Sequence, residues 1–239
     1  MVLVPAGSFL MGSDKGRPDE KPQHTVSIRA FYMDKYEVTQ EHYMKVVGTN
    51  PSKFGGKDWK VYPVDRISWR QAAAYCNDRS RMEGFDPCYD EETWQCDIDA
   101  NGYRMPTEAE WEYACRAGTT SDYYCDKGQL AGAAWFKSNS NEQSHPVGLK
   151  KPNKWGLCDM AGNVYEWCND YYDPNYYKQS PSDNPKGPPE QDLRVLRGGC
   201  WVTSEDTCRA AARFSDDPVG ADTCLGYSAY GFRCVRKER

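Results

Sequence analysis

Strand-like runs stand at both ends of this chain, at residues 2–11 and 230–235, and they constrain its architecture more than any other feature. A chain of 239 residues that begins and ends in strands is expected to bring its termini into one sheet. Further runs cover residues 26–33 and 194–197, and the rest is punctuated by Asn, Asp, Gly and Pro. With 20 Gly and 15 Pro, helix and strand are both expected to be modest, and 8 Trp and 17 Tyr leave aromatic packing to carry the core. Nothing resembles a linker, so residues 1–239 are read as one domain.

Two helix starts are marked by capping boxes, in which an N-cap hydroxyl and a side chain three residues on exchange hydrogen bonds with the backbone. Ser68-Trp-Arg-Gln71 leads to Trp69, Ala72, Ala73 and Cys76 at helical spacing before Gly84. Thr107-Glu-Ala-Glu110 follows Pro106, with Trp111, Ala114 and Cys115 on one face and Gly118 as the stop. A third start at Thr39 runs through Tyr43 and Val47 to Gly48. Both capped helices are expected to pack on a sheet, and residues 173–190 read as one long surface loop. No internal repeat is present.

Charge excludes one class of partner. Lys and Arg number 30 against 35 Asp and Glu, a net charge of −5, so there is no basic excess to neutralise phosphates and nucleic acid is not an expected partner. No run approaches the roughly 18 apolar residues of a membrane span. Eleven cysteines are many for a reducing compartment and imply export to a bacterial cell surface or beyond, with any membrane contact through a leader or anchor outside these residues. The other reading of the cysteines is that most are small buried hydrophobes.

Motifs spread over the length carry a resemblance. Phe9-Leu-Met-Gly12, Tyr36-Glu-Val-Thr39, Pro63-Val-Asp65, Tyr103-Arg-Met-Pro-Thr-Glu-Ala-Glu-Trp-Glu-Tyr-Ala114, His145-Pro-Val-Gly148, Asn153-Lys-Trp-Gly-Leu157, Asp159-Met-Ala-Gly-Asn-Val-Tyr-Glu-Trp167, Arg197-Gly-Gly199 and Gly231-Phe-Arg233 occur in the order found in the formylglycine-generating enzyme/sulfatase-modifying-factor family. The chain resembles that family throughout. The resemblance implies an α+β, C-type-lectin-like fold, loop-rich, with termini paired in a sheet and loops that build a binding surface. Fold does not fix function, because the domain serves oxidases, iron enzymes and binding proteins.

The oxidases of the family hold copper(I) between two cysteines five residues apart, just after the Gly-Gly-x-Trp turn, and copper(I) requires two soft thiolates. Here Cys208 stands at the second position and Thr203 at the first, so no catalytic residue and no required cofactor are expected. The iron branch uses clustered histidines, whereas His24, His42 and His145 lie far apart and are expected to be structural. Asp159-x-x-Gly162-x-Val164-x-Glu166 matches a calcium pattern of the family, with oxygen-only ligation. That pattern stays open between a structural calcium site and a turn residue, Asp159, beside a buried ion pair at Glu166. The resemblance also implies a disulfide from Cys115 to Cys234, and Cys88 with Cys96 could close a local loop.

Residues 200–230 also resemble the variable proteins of diversity-generating retroelements, a subset of this fold in which adenines of a template copy are randomised. Substituting the adenines of an Asn-type codon never yields Lys, Gln, Glu, Met or Trp, and in this segment only Trp201 and Glu205 lie outside the reachable set. The resemblance implies fixed scaffold at Trp201, Cys208, Arg209, Arg213 and Pro218. It implies an exposed, varied, ligand-binding surface at Val202, Thr203, Ser204, Thr207, Ala212, Phe214, Ser215, Asp216, Asp217, Asp222, Thr223, Tyr227, Ser228 and Tyr230. A protein or other surface ligand is the expected partner, its identity unknown. The alternative is a formylglycine-generating type of oxidase or another enzyme of the family.

Overall fold

A computed structural model of the chain describes residues 1–219 and 227–238. The two terminal runs do meet in one sheet, though not as direct neighbours. β1 (Val2–Val4) and the last strand, β10 (Val235–Lys237), flank β4 (Phe31–Met33) on opposite sides, with Val2 and Val235 both opposite Met33, and β5 (Tyr103–Arg104) closes the far edge. Each sequence run becomes two strands in different sheets. β2 (Gly7–Met11) leaves β1 after Pro5, which has no N–H for a ladder, and pairs with β3 (His24–Ile28) as a separate antiparallel ribbon.

A third sheet, ordered β8-β7-β6-β9, is built from β6 (Tyr165–Tyr171), β7 (Arg194–Arg197), β8 (Phe214–Asp216) and β9 (Tyr230–Gly231). Its central strand β6 is not legible in the sequence. Every residue of it but the last is buried, so the apolar and polar alternation that marks a half-exposed strand is absent.

The helices follow their signals. α1 (Gln40–Val47) begins where Thr39 Oγ1 accepts from the His42 amide and ends at Gly48, φ 84°. Both capping boxes form, Ser68 with Gln71 ahead of α2 (Trp69–Met82) and Thr107 with Glu110 ahead of α3 (Glu108–Arg116). α4 (Leu130–Ala133) is a single turn. Among the described residues no helix is long and apolar enough to cross a membrane.

α3 is buried along its whole length, which forces its carboxylates to find partners. Glu108 is bidentate with Arg213 at 2.7 and 2.9 Å, Glu110 with Arg104 at 2.7 Å twice, and Glu112 bridges Arg197 at 2.5 Å and Arg116 at 2.8 Å. The helix thus ties β5, β7 and the start of β8 to one axis. Apolar packing divides into two clusters, one around Trp111 and Phe31, the other around Trp69, Trp167 and Phe232.

Two expectations are corrected here. Cys115 and Cys234 lie in different clusters. The Cys115 thiol donates to the Met160 carbonyl at 3.3 Å, while Cys234 Sγ lies 3.7 Å from Cys76 Sγ on α2. All ten described cysteines are thiols, Cys88 and Cys96 among them. The segment 173–190 is not wholly a surface loop either, because Tyr176 and Tyr177 are buried and Asp183 bridges to Ser27.

Candidate functional site

β7 runs into Gly198 and Gly199, at φ 94° and 73°. A Cβ on Gly199 would stand 2.8 Å from Thr207 Oγ1 and 2.9 Å from Cys208 Sγ, so glycine alone lets the chain fold back over this turn. Trp201 turns inward, its indole N–H donating to the Ser228 carbonyl at 3.1 Å and its ring edge-on to Phe54. Val202, 44% exposed, and Ser204 are left facing outward.

Thr203 has a structural task. Its hydroxyl accepts from the Cys200 amide at 3.0 Å, donates to the Cys200 carbonyl at 3.1 Å and lies 2.6 Å from Thr207 Oγ1. The position that carries a copper ligand in the oxidases therefore closes a turn here. Cys200 and Cys208 are buried in different clusters, and burial pushes their thiols up to about 11 and about 12. A buried thiol held protonated is a poor copper(I) ligand.

Beyond a short 3₁₀ turn, Glu205–Cys208, two arginines lock the segment. Arg209 is bidentate with the buried Glu20 at 2.8 and 2.6 Å, and Arg213 with Glu108. The next residue opens edge strand β8, with Phe214 opposite Leu196 and Asp216 opposite Arg194. Phe214 stays 38% exposed while lying flat on Tyr165, centroids 5.0 Å apart and planes 20° apart. Tyr230, packed edge-on to Tyr165 and Trp167, donates its hydroxyl to Asp216 Oδ2 at 2.8 Å.

The implied ligand positions thus divide. Val202, Ser204, Phe214 and Asp217 are exposed, and Thr203, Thr207, Ser215 and Asp216 are half-buried. Ala212, Ser228 and Tyr230 are buried, which corrects their assignment to an exposed surface. Arg197 draws the carbonyls of Ala210, Ala211 and Ala212 inward, Ser228 serves Trp201, and Tyr230 is core. Asp222, Thr223 and the side chain of Tyr227 lie outside the described residues. Val219, 53% exposed, shares the reachable alphabet and stands beside the implied positions. Tyr165, the aromatic floor under Phe214, carried no signal because it sits inside a family motif.

The remaining metal expectations can be checked against geometry. His24 meets the Pro22 carbonyl, His42 the Thr39 hydroxyl, and His145 the Ser140 carbonyl, so the histidines have separate structural partners. Both oxygens of Glu166 accept from Arg233, at 2.6 and 2.7 Å, and one also accepts from the Trp111 indole at 2.8 Å. Asp159, at φ 56°, accepts from the Gly148 amide at 2.6 Å and keeps one oxygen without a partner among the described residues. Burial raises its carboxyl to about 6. Gly162 is forced by the Trp135 carbonyl, 2.1 Å from where a Cβ would be, and the Val164 amide donates to Glu37. Arg233 complements Glu166, and one free oxygen on Asp159 is not by itself a calcium shell. In this geometry Asp159 serves the turn at Gly148 and Glu166 pairs with Arg233.

Comparison with known proteins agrees with this architecture. Residues 1–238 match the family model described as the sulfatase-modifying factor enzyme 1-like domain. Treponema denticola variable protein 1 superposes with a TM-score of 0.90 at 33% identity, covering 100% of this chain and 95% of that one. The chain is 34% identical to the chaperone protein LppX of Paenibacillus barcinonensis over 276 residues, 100% of this chain and 89% of LppX. It is 31% identical to the formylglycine-generating enzyme of Streptomyces coelicolor over 303 residues, 98% and 88% of the two. Some relatives are longer, and the chain spans 38% of the serine/threonine-protein kinase pkn1 of Chlamydia caviae. The fold is the α+β, C-type-lectin-like fold of this family.

Proposed function

This chain belongs to the family of sulfatase-modifying factor enzyme 1-like domains, and from that membership we propose that it is a ligand-binding protein that displays a diversified surface from residues 200–230. The carrying observation is the contrast within one short stretch. Arg209, Arg213, Trp201 and Gly199 are locked into the core, while Val202, Ser204, Phe214 and Asp217 between and beside them face solvent. Side chains at those four positions can change without disturbing the ion pairs that hold the backbone. Exposed Val and Phe beside small polar residues supply apolar contact area and hydrogen-bonding groups for a protein or other surface ligand. A place at the bacterial cell exterior belongs to the same proposal, as does the absence of catalysis.

The deciding test is the DNA beyond the 3′ end of the gene. A near-copy of codons 200–233 that differs only where the copy has adenine supports diversification and marks each variable position, whereas its absence removes that part of the proposal. The competing reading is a formylglycine-generating oxidase, favoured by the Streptomyces relative. It requires copper(I) uptake through Cys208 and conversion of a sulfatase cysteine to formylglycine. Uptake that is lost in Cys208→Ser, together with that activity, would replace the binding proposal.

A further inference from the structure

Arg194 is a buried cation with no carboxylate in direct contact among the described residues, although the buried Asp170 acts on it at longer range. Only 6% of it is exposed, and among the described residues no acidic oxygen lies within 4.0 Å of its guanidinium nitrogens. Among the described residues its side chain makes one hydrogen bond, from Nη1 to the Asn169 carbonyl at 2.5 Å, and Nε has no partner. The other buried arginines named above each face a glutamate. Arg194 is held instead between two rings, 3.7 Å from the centroid of Trp69 and 3.4 Å from that of Tyr171. Stacking on both faces leaves only the edge of the guanidinium, where its in-plane N–H donors point, to meet a ligand. A buried charge left uncompensated costs several kcal/mol, and such costs persist where a ligand supplies the counter-charge.

Arg194 lines an open cavity of about 440 Å³ whose described lining contains no residue of the 200–230 segment. Asn169, 8% exposed, lies in the same wall and its side-chain oxygen also lacks a partner. Trp94, Ile98, Pro188 and Pro189 give the cavity an apolar side, Lys186 adds a second cation, and Glu190 is the one acid in the lining. Trp94 is held there at φ 59°, a conformation uncommon for a bulky residue.

We propose that this cavity binds a carboxylate carried on an apolar group, with Arg194 as the fork that takes the two oxygens. The planar fork matches a planar carboxylate in a bidentate geometry. One buried cation, one exposed lysine and an acid in the same lining suit a monoanion better than a phosphate dianion. The carboxylate could be delivered by a free apolar acid or by the C-terminus of a peptide, and both present the same group. This site is independent of the surface at Phe214, so neither stands or falls with the other.

Calorimetric titration of the intact chain tests it with N-acetylphenylalanine, its amide, inorganic phosphate and a hexapeptide ending in phenylalanine. The expected result is saturable binding of the acid, tighter than about 5 mM, no binding of the amide and no competition by phosphate. Arg194→Lys keeps the charge but not the fork and is expected to weaken the acid by about tenfold or more. Lys186→Ala, at an exposed position, is expected to weaken it by about threefold. Hexapeptide binding at least as tight as the acid assigns the ligand to peptide C-termini, and weaker binding assigns it to free acids. Equal binding of acid and amide, displacement by phosphate, absence of saturation, or an unchanged affinity in a folded Arg194→Lys protein would each overturn the proposal. The comparison of acid with amide uses the unaltered chain, so it decides the matter even if the Arg194 variant does not fold.

Discussion

Phe214 lies on Tyr165 with ring centroids 5.0 Å apart and planes 20° apart, and one face of it remains in solvent. The residue before it, Arg213, is buried against Glu108. Adjacent side chains where the edge strand β8 begins thus serve display and anchoring.

That contrast sets the first prediction. Phe214→Ala should cost about 1 kcal/mol, the value of an exposed aromatic contact, whereas Tyr230→Ala should cost about 3 kcal/mol or more because it empties a packed site. Urea unfolding of both variants checks this. A larger loss at 214 than at 230 would contradict the assignment of Phe214 to the displayed surface.

Thr203 should tolerate less change than its exposed neighbours. Its hydroxyl closes the turn after Cys200, so Thr203→Val should lose about 1–2 kcal/mol through an unpaired Cys200 amide, the Cys200 carbonyl keeping the Thr203 backbone N–H, with Thr203→Ser within about 0.5 kcal/mol of the parent. Val202→Ser, by comparison, should leave the melting temperature nearly unmoved.

The ion pair between α3 and the residue before β8 should be costly to halve. Arg213→Met leaves Glu108 with a longer contact to Arg197, 3.8 Å away, as its remaining ion pair among the described residues, and is expected to cost about 3–5 kcal/mol. Chemical denaturation at neutral pH measures it, and a loss under about 1 kcal/mol would show that the segment is not anchored there.

Asp65 supplies a pH dependence. It is fully buried, and burial raises its carboxyl to about 7 although the Lys53 amide donates to it at 3.0 Å. The folded state holds this proton more tightly than the unfolded chain, whose value is near 4. The contribution of Asp65 to stability is therefore full below pH 4, falls as pH rises through 7 by at most about 1.4 kcal/mol per pH unit, and then levels off. Asp65→Asn should remove that slope, which unfolding curves of both proteins between pH 4 and 8 would reveal.

Cys234 should cross-link to Cys76. Both thiols are fully buried, so the bond is expected to form during refolding with oxidised glutathione, which is reduced as the two thiols join, and a mass-spectrometric digest should yield a Cys76–Cys234 peptide because the folded chain places their sulfurs 3.7 Å apart. A Cys115–Cys234 peptide from folded protein would contradict the placement of Cys115 against Met160.

What the sequence determined by itself was whatever depends on short-range chemistry. Ser68 with Gln71 and Thr107 with Glu110 announce their helices because a capping box is complete within four residues. Gly48 ends α1 for a similar reason, and the family motifs identified the fold because they are spread along the whole chain. The tertiary structure decided what depends on partners far apart in sequence. β6 shows no alternation because both its faces are covered, and its buried Glu166 is satisfied from other segments, by Arg233 and Trp111. The reachable alphabet of residues 200–230 could propose which positions vary. It could not separate Phe214, in solvent, from Tyr230, in the core, because burial there is set by β6, β7 and β9 coming together. The partner of Cys234 and the lack, among the described residues, of a carboxylate in contact with Arg194 were decided in the same way, since a side chain's charge or thiol is read from one residue and its environment from many.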